Sequence, residues 1–221
     1  MHRSVIWFLL LLVAFSAISL QGYSQTHVDS LTNLLQKSGS DTNRIRLLNE
    51  LADKFSKSEM EVATRYADEA MRLSVNIDYQ KGIAHSINQK GIIEFYRGNL
   101  DEAEKLFELS IETCKKASLD KYLALVLNNV GLVYHGAEDY ETALSYFIQS
   151  AELMKALERP LGLANSLNNI GKLFYDQKKY EKALNYYERA QTLFNSVDDK
   201  MGMSTSFNNI GIIYSANKDF K

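Results

Sequence analysis

Asn88, Asn128, Asn168 and Asn208 stand 40 residues apart, and each is followed at once by a second carboxamide: Gln89, Asn129, Asn169 and Asn209. A carboxamide carries a hydrogen-bond donor and an acceptor on one short, uncharged side chain. A double column of them can hold an extended main chain without regard to its sequence. It can equally tie one structural element to the next. Seven residues beyond the first column lie Phe95, His135, Tyr175 and Ser215. The three rings could form pockets for apolar side chains, or they could be ordinary packing between elements, as most aromatic stripes at helical spacing are.

Bond-making chemistry finds no such set. The four histidines, His2, His27, His85 and His135, are scattered and show no metal-ligand spacing. No glycine-rich phosphate loop is present. The acid pairs Asp101-Glu102 and Asp198-Asp199 are adjacent and fall at expected helix starts, where they favour the helix dipole instead of facing one another across a substrate. Cys114 shares a 40-residue column with Met154 and Phe194, so it reads as an inert core thiol. The expectation is a non-enzyme with no metal and no cofactor.

The elements that must position the amides repeat with them. Gly91, Gly131, Gly171 and Gly211 are spaced by 40 residues. Four before each glycine is Ile87, Leu127, Leu167 or Phe207; twelve after comes Ala103, Ala143 or Ala183; sixteen after comes Phe107, Phe147 or Tyr187. Leu167, Ile170 and Leu173 have helical spacing, and so do Ala183, Tyr187 and Ala190 after a polar turn at 176–179. Each unit is therefore two helices. Asp78, Ser118 and Asp198 stand near the starts of first helices as candidate caps, and Pro160 sits where a missing donor costs least. Units are expected over 42–79, 80–119, 120–159, 160–199 and an incomplete 200–221. A leading helix and linker over 25–41, with Val28, Leu31, Leu34 and Leu35, caps the stack.

These columns resemble the tetratricopeptide repeat. Leu127, Val130, Gly131, Tyr134, Ala143 and Phe147 fit its pattern, with Ser150 in the last small slot, and Leu167, Ile170, Gly171, Phe174, Ala183, Tyr187 and Ala190 fit it throughout. The 40-residue period exceeds the usual 34 and is similar to the longer-helix variants of kinesin light chain; the unit at Gly91 has Lys90 and Glu94 where apolar and aromatic residues are usual. The resemblance implies an all-α, right-handed α-solenoid of stacked antiparallel helix pairs. It further implies that first helices line a concave groove which takes a protein or peptide. Groove positions map to offsets minus 6, minus 3, minus 2, plus 1 and plus 4 from each glycine. The groove set is then Asn88, Gln89, Asn128, Asn129, Asn168, Asn169, Asn208 and Asn209, with Phe95, His135 and Tyr175.

Residues 1–24 differ from the rest. His2 and Arg3 precede an uncharged run from Val5 to Leu20, and small residues Gly22 and Ser24 follow. This is the three-part pattern of a secretory signal peptide. The run has 16 residues, against the roughly 20 of a membrane-spanning helix. The chain is expected to be exported to a Gram-negative periplasm, with an uncleaved leader or a downstream segment as its only membrane tether. A formal charge of −2, from 25 basic and 27 acidic residues, gives no basic face for nucleic acid. Asp219-Phe220-Lys221 aligns with Asp139-Tyr140-Glu141, where a second helix begins, so the last first-helix is expected to show Phe207, Ile210, Ile213 and Tyr214 uncovered. Two functions share this groove: a periplasmic scaffold, or the sensor region of a longer signalling protein, such as a histidine kinase, nucleotide cyclase or transcriptional regulator.

Overall fold

The structure, a computed structural model, describes residues 29–38 and 42–218. The expected leader over 1–24, Val28 and the Asp219-Phe220-Lys221 segment lie outside the described residues. A short helix α1 spans 29–37. It is followed by α2 (Thr42–Phe55), α3 (Met60–Asn76), α4 (Gln80–Arg97), α5 (Leu100–Lys116), α6 (Asp120–Gly136), α7 (Tyr140–Ala156), α8 (Pro160–Asp176), α9 (Tyr180–Ser196) and α10 (Lys200–Lys218). No strand occurs among the described residues, and none of these helices is long and apolar enough to cross a membrane. Each helix from α2 on packs against its chain neighbours, giving the expected stack of pairs. In α1, Leu31 and Leu35 are buried against Ile45, Leu48 and Leu51. Leu34, expected to join them, is 51% exposed, because at 3.6 residues per turn it is rotated about 100° around the helix from Leu35, off the buried face.

The glycine column exists to admit a ring. A Cβ on Gly91, Gly131 or Gly171 would stand 2.7, 2.6 or 2.7 Å from Phe107, Phe147 or Tyr187 respectively. Those rings come from the second helix of the same pair and are buried. A second stack braces two pairs on the other side: Tyr134 on Tyr146, and Phe174 on Tyr186, with centroids 5.8 and 5.5 Å apart. The pair α4–α5 cannot make this stack, since Glu94 occupies the ring position. Polar bonds to α3 replace it: Lys90 Nζ reaches Asp68 Oδ1 at 2.8 Å and an Arg97 nitrogen reaches Thr64 Oγ1 at 2.9 Å.

The turns correct the reading of the caps. Asp78, Ser118 and Asp198 have φ of 51°, 52° and 52°, as do Glu138, Glu158 and Lys178 at 62°, 53° and 59°, and Gly98 at 86°. These seven left-handed residues recur every 20 positions. Each closes a helix C-terminus through its own main chain. For α3, Tyr79 N–H donates to Ser74 O at 2.8 Å and Asp78 N–H to Val75 O at 3.2 Å, the paired bonds of a Schellman motif. The side chains of Asp78, Ser118 and Asp198 are therefore not N-caps. Asp139 does cap, accepting from Thr142 N–H at 3.2 Å, and Pro160 opens α8.

Successive pairs meet through a size match. Gly162 lies against Met154 and Gly202 against Phe194, so closely that a Cβ would overlap them. At the α5–α6 junction the sizes reverse: Cys114 is the small partner and Tyr122, 8% exposed, the large one. Burial pushes the Cys114 thiol up to about 11, so its thiolate is scarce at neutral pH. We expect a water-soluble thiol reagent to label Cys114 only when denaturant is added. Prompt labelling of the native protein would refute the buried placement.

Candidate functional site

The two helical layers differ in spacing. Each of α2, α4, α6, α8 and α10 touches the next member of that series, whereas α3, α5, α7 and α9 do not touch one another. The layer whose members are closer is the inside of a bend, so first helices form the concave face. They approach most closely at the N-terminal end of the array.

On this face the two amide columns meet across repeats. Asn169 Nδ2 donates to Asn128 Oδ1 at 2.9 Å, and Asn209 Nδ2 donates to Asn168 Oδ1 at 3.1 Å. Position minus 2 of one pair is thus bonded to minus 3 of the pair before. Asn128, Asn129, Asn168, Asn169 and Asn209 remain half-buried, and Asn208 is exposed. Asn88 and Gln89, expected to line the groove, are 0% and 2% exposed. The closer approach of α2, α4 and α6 seals them between helices, so neither offers atoms to a ligand in this conformation. Gln89 Nε2 instead lies 3.4 Å from His85 Nε2.

The rings at plus 4 sit at the ends of first helices and pack across the turn. His135 is 9% exposed; its Nε2 is 2.8 Å from Asp176 Oδ2 on the next pair, and its ring lies 5.9 Å from Tyr140. Tyr175 meets Tyr180 at 5.7 Å, and Phe95 is half-buried against Tyr96. His135 is therefore committed to holding α6 to α8. Tyr175 and Phe95 keep part of their surface free.

Two clefts open on the concave face between α2, α4 and α6. One, of about 390 Å³, is lined by Arg46, Lys81, His85, Tyr122 and Leu125 among others. The His85 ring meets Tyr122 edge-on at 5.4 Å. Burial, assisted by the Lys81 charge, pushes its imidazole down to about 4, so it is neutral at physiological pH. The other cleft, of about 400 Å³, includes Lys54, Lys57, Ile92, Tyr96, Asn129 and Leu132. His85 and Leu125 are minus 6 residues, and Ile92 and Leu132 are plus 1 residues, so these offsets do point into the groove. Lys54, Lys57 and Tyr96 were missed by offset counting, because the first pair has Leu51 in place of its glycine and Tyr96 lies one residue past plus 4. A larger cleft of about 650 Å³ opens on the outer face between α5 and α7. It follows from Tyr122, which stands where other junctions carry glycine and holds α6 away from α5. Carboxylates Glu108, Glu112 and Glu141 line it, with no uncommitted buried polar group.

A family model for the tetratricopeptide repeat matches residues 82–156 and 162–221. The chain belongs to the tetratricopeptide repeat family. Among solved structures, this tetratricopeptide repeat chain is similar to BtubC (BKLC) from P. vanneervenii, 20% identical, with a TM-score of 0.64 over 90% of this chain and 83% of that one. It is similar to a Rap protein complexed with Competence and Sporulation Factor, 13% identical, with a TM-score of 0.70 over 90% of this chain and 60% of that one. It is also similar to a signal transduction ATPase with a tetratricopeptide repeat sensor from Pyrococcus horikoshii, 23% identical, with a TM-score of 0.62, covering 89% of this chain and 31% of that one. At these identities the likeness is one of fold. No curated protein matches the sequence.

Proposed function

We propose that the concave face binds a peptide or an extended segment of a protein. The observation that carries this reading is two clefts spanning three first helices, one lined by half-buried Asn129 and exposed Leu132, 42% accessible, the other by Arg46, Lys81 and exposed Leu125, 45% accessible. Apolar groups fix side chains of a ligand while convergent polar groups fix its orientation. The family fold and its likeness to the Rap protein, whose complex holds a factor, support an interaction module that performs no reaction of its own.

The test sets the two faces against each other. A random heptapeptide library displayed on phage is selected on the intact chain, and the enriched peptides are measured on two variants. Leu125→Glu with Leu132→Glu places charge in the groove; Leu109→Glu with Ile148→Glu places it at exposed positions on the outer layer. Binding should fall at least about tenfold in the first variant, the equivalent of 1.4 kcal/mol, and stay within about twofold in the second. Equal loss in both, or loss only in the second, would sink the groove.

Residues 1–24 we propose to be an export signal that places this module in the periplasm. Fused to a reporter phosphatase that becomes active only outside the cytoplasm, they should give an active reporter in a Gram-negative host; an inactive reporter refutes export. A sensor role within a longer signalling protein is the second reading. It is favoured by the fold shared with the sensor-bearing ATPase, of which this chain spans 31%.

A further inference from the structure

One junction of the array lacks the polar ties that the others have. Lys90 and Arg97 on α4 bond Asp68 and Thr64 on α3. On α8, Asn169 and Asp176 meet Asn128 and His135 on α6, and Ser166 meets Ser150 on α7. Asn209 on α10 meets Asn168 on α8. Among the described residues, no side-chain hydrogen bond or ion pair joins α4–α5 to α6–α7. What crosses there is contact with one ring: His85 meets Tyr122 edge-on, and Lys81 Nζ stands 5.8 Å from its centre. The same junction departs from the rest in three further respects. Tyr122 stands nine residues before Gly131, where Gly82, Gly162 and Gly202 stand nine before their own glycines. The 650 Å³ cleft opens beside it between α5 and α7. The rung that would join Asn129 to Asn88 is not made, and Asn88 is 0% exposed with both Nδ2 and Oδ1 unbonded. Buried amide atoms are almost always paired in folded proteins, so the close approach of α4 and α6 carries a penalty that a shift between them can relieve.

We infer that this junction is a hinge with two settings, about which α1–α5 and α6–α10 turn as two blocks. In the setting described above, α6 lies close to α4, Asn88 is sealed without a partner and the outer cleft is open. In the other, α6 moves off α4 to the spacing at which Asn169 reaches Asn128, Asn129 Nδ2 bonds Asn88 Oδ1, and the outer cleft narrows. Apolar contact is non-directional, whereas a hydrogen bond weakens steeply when its angle is lost. At this junction α6 can therefore slide over α5 without breaking a bond. The same slide at any other junction breaks at least one. The two settings balance, because the first keeps α6 packed on α4 and the second pairs the buried amide. Both concave clefts are lined from both sides of the hinge, by Ile92 and Leu132 in one and by His85 and Leu125 in the other, so the setting fixes their width. A ligand that fits one width better shifts the balance by its differential affinity. That coupling depends on the groove taking a ligand; the hinge itself does not.

Distances between spin labels on neighbouring outer helices test this without any ligand. Glu108, Ile148 and Glu188 are exposed and occupy one register, 40 residues apart, while Cys114 is buried away from label. Pulsed electron-spin resonance on the full chain should show two distances for Glu108→Cys/Ile148→Cys, across the hinge, and one for Ile148→Cys/Glu188→Cys. Asn129→Ala removes the rung, so it should deplete the shorter distance about fivefold relative to the longer, the worth of one neutral hydrogen bond. Cys114→Met/Tyr122→Gly gives the junction the size match of Met154 and Gly162 and should leave a single distance. Asn129→Ala changes only a half-buried side chain, so its result stands even where the size exchange does not fold. A single distance across the hinge, or the same two at both label pairs, overturns the hinge. Two distances whose ratio Asn129→Ala leaves unchanged overturn the rung as the second setting.

Discussion

Phe147→Ala should lower the unfolding free energy by about 3–5 kcal/mol, the range for deleting a buried aromatic ring. Phe147 is 0% exposed and stands against the bare Cα of Gly131. The contact is reciprocal, which makes a sharper test than either change alone. Gly131→Ala puts a methyl 2.6 Å from the Phe147 ring and should cost about 1–3 kcal/mol by overpacking, less the roughly 1 kcal/mol that alanine gains over glycine within a helix. With Phe147 already alanine the clash is gone, and Gly131→Ala should stabilise by up to about 1 kcal/mol. Gly211→Ala, in the same column but with nothing within 4 Å of its Cβ, should stabilise by a similar amount. Urea unfolding of the four-member cycle and of Gly211→Ala measures all of this. Additive effects at 131 and 147, or a destabilised Gly211→Ala, would show that the glycine column does not exist to admit the ring.

The parts that could be read from the chain are those in which one residue type has one use. Glycine mid-helix, followed sixteen residues later by an aromatic ring, demands that a ring lie on a backbone, and it does so at Phe107, Phe147 and Tyr187. The burial of Cys114, Met154 and Phe194 follows the same logic. Where a residue type has two uses, the sequence is ambiguous. Aspartate and serine favour both helix starts and left-handed turns, and at 78, 118 and 198 the second use prevails. The 20-residue recurrence could have shown this. It is hidden because seven positions with one conformation are filled by Asp, Gly, Ser, Glu, Glu, Lys and Asp.

The amide columns were legible as columns but not as surfaces. Whether an asparagine at minus 3 faces a ligand or a neighbouring helix depends on the bend of the array, and the bend is the sum of small differences at each junction. Asn88 is sealed, Asn128 and Asn168 are half-buried, and Asn208 is exposed, although all four occupy one register. At the far end, Ile213 is 1% exposed while Phe207 and Tyr214 are 59% and 53% exposed. Contact with α9 covers one side of α10 only, so the uncovered face expected there is narrower than the list of four residues implied.

The turns supply the second large effect. Glu138, Glu158 and Lys178 hold φ of 62°, 53° and 59°, where a Cβ crowds the following carbonyl at about 1–2 kcal/mol per residue. Glycine removes that crowding but adds freedom to the unfolded chain, which returns about 0.5–1 kcal/mol. Each change to glycine should therefore gain about 0.5–1 kcal/mol net. The three sites lie on separate junctions with no shared partner, so their gains should add to about 1.5–3 kcal/mol. Thermal and urea unfolding of Glu138→Gly/Glu158→Gly/Lys178→Gly measures this, with Gly98→Ala, at φ of 86°, as the change of opposite sign. The Schellman bonds at these turns run between main-chain atoms, so no bond at the turn is lost when the side chains go. A triple variant no more stable than the starting chain would mean that the strain is offset by side-chain contacts in the turns. The three residues would then be retained for what their side chains touch, and the recurrence every 20 positions would reflect more than the geometry of chain reversal.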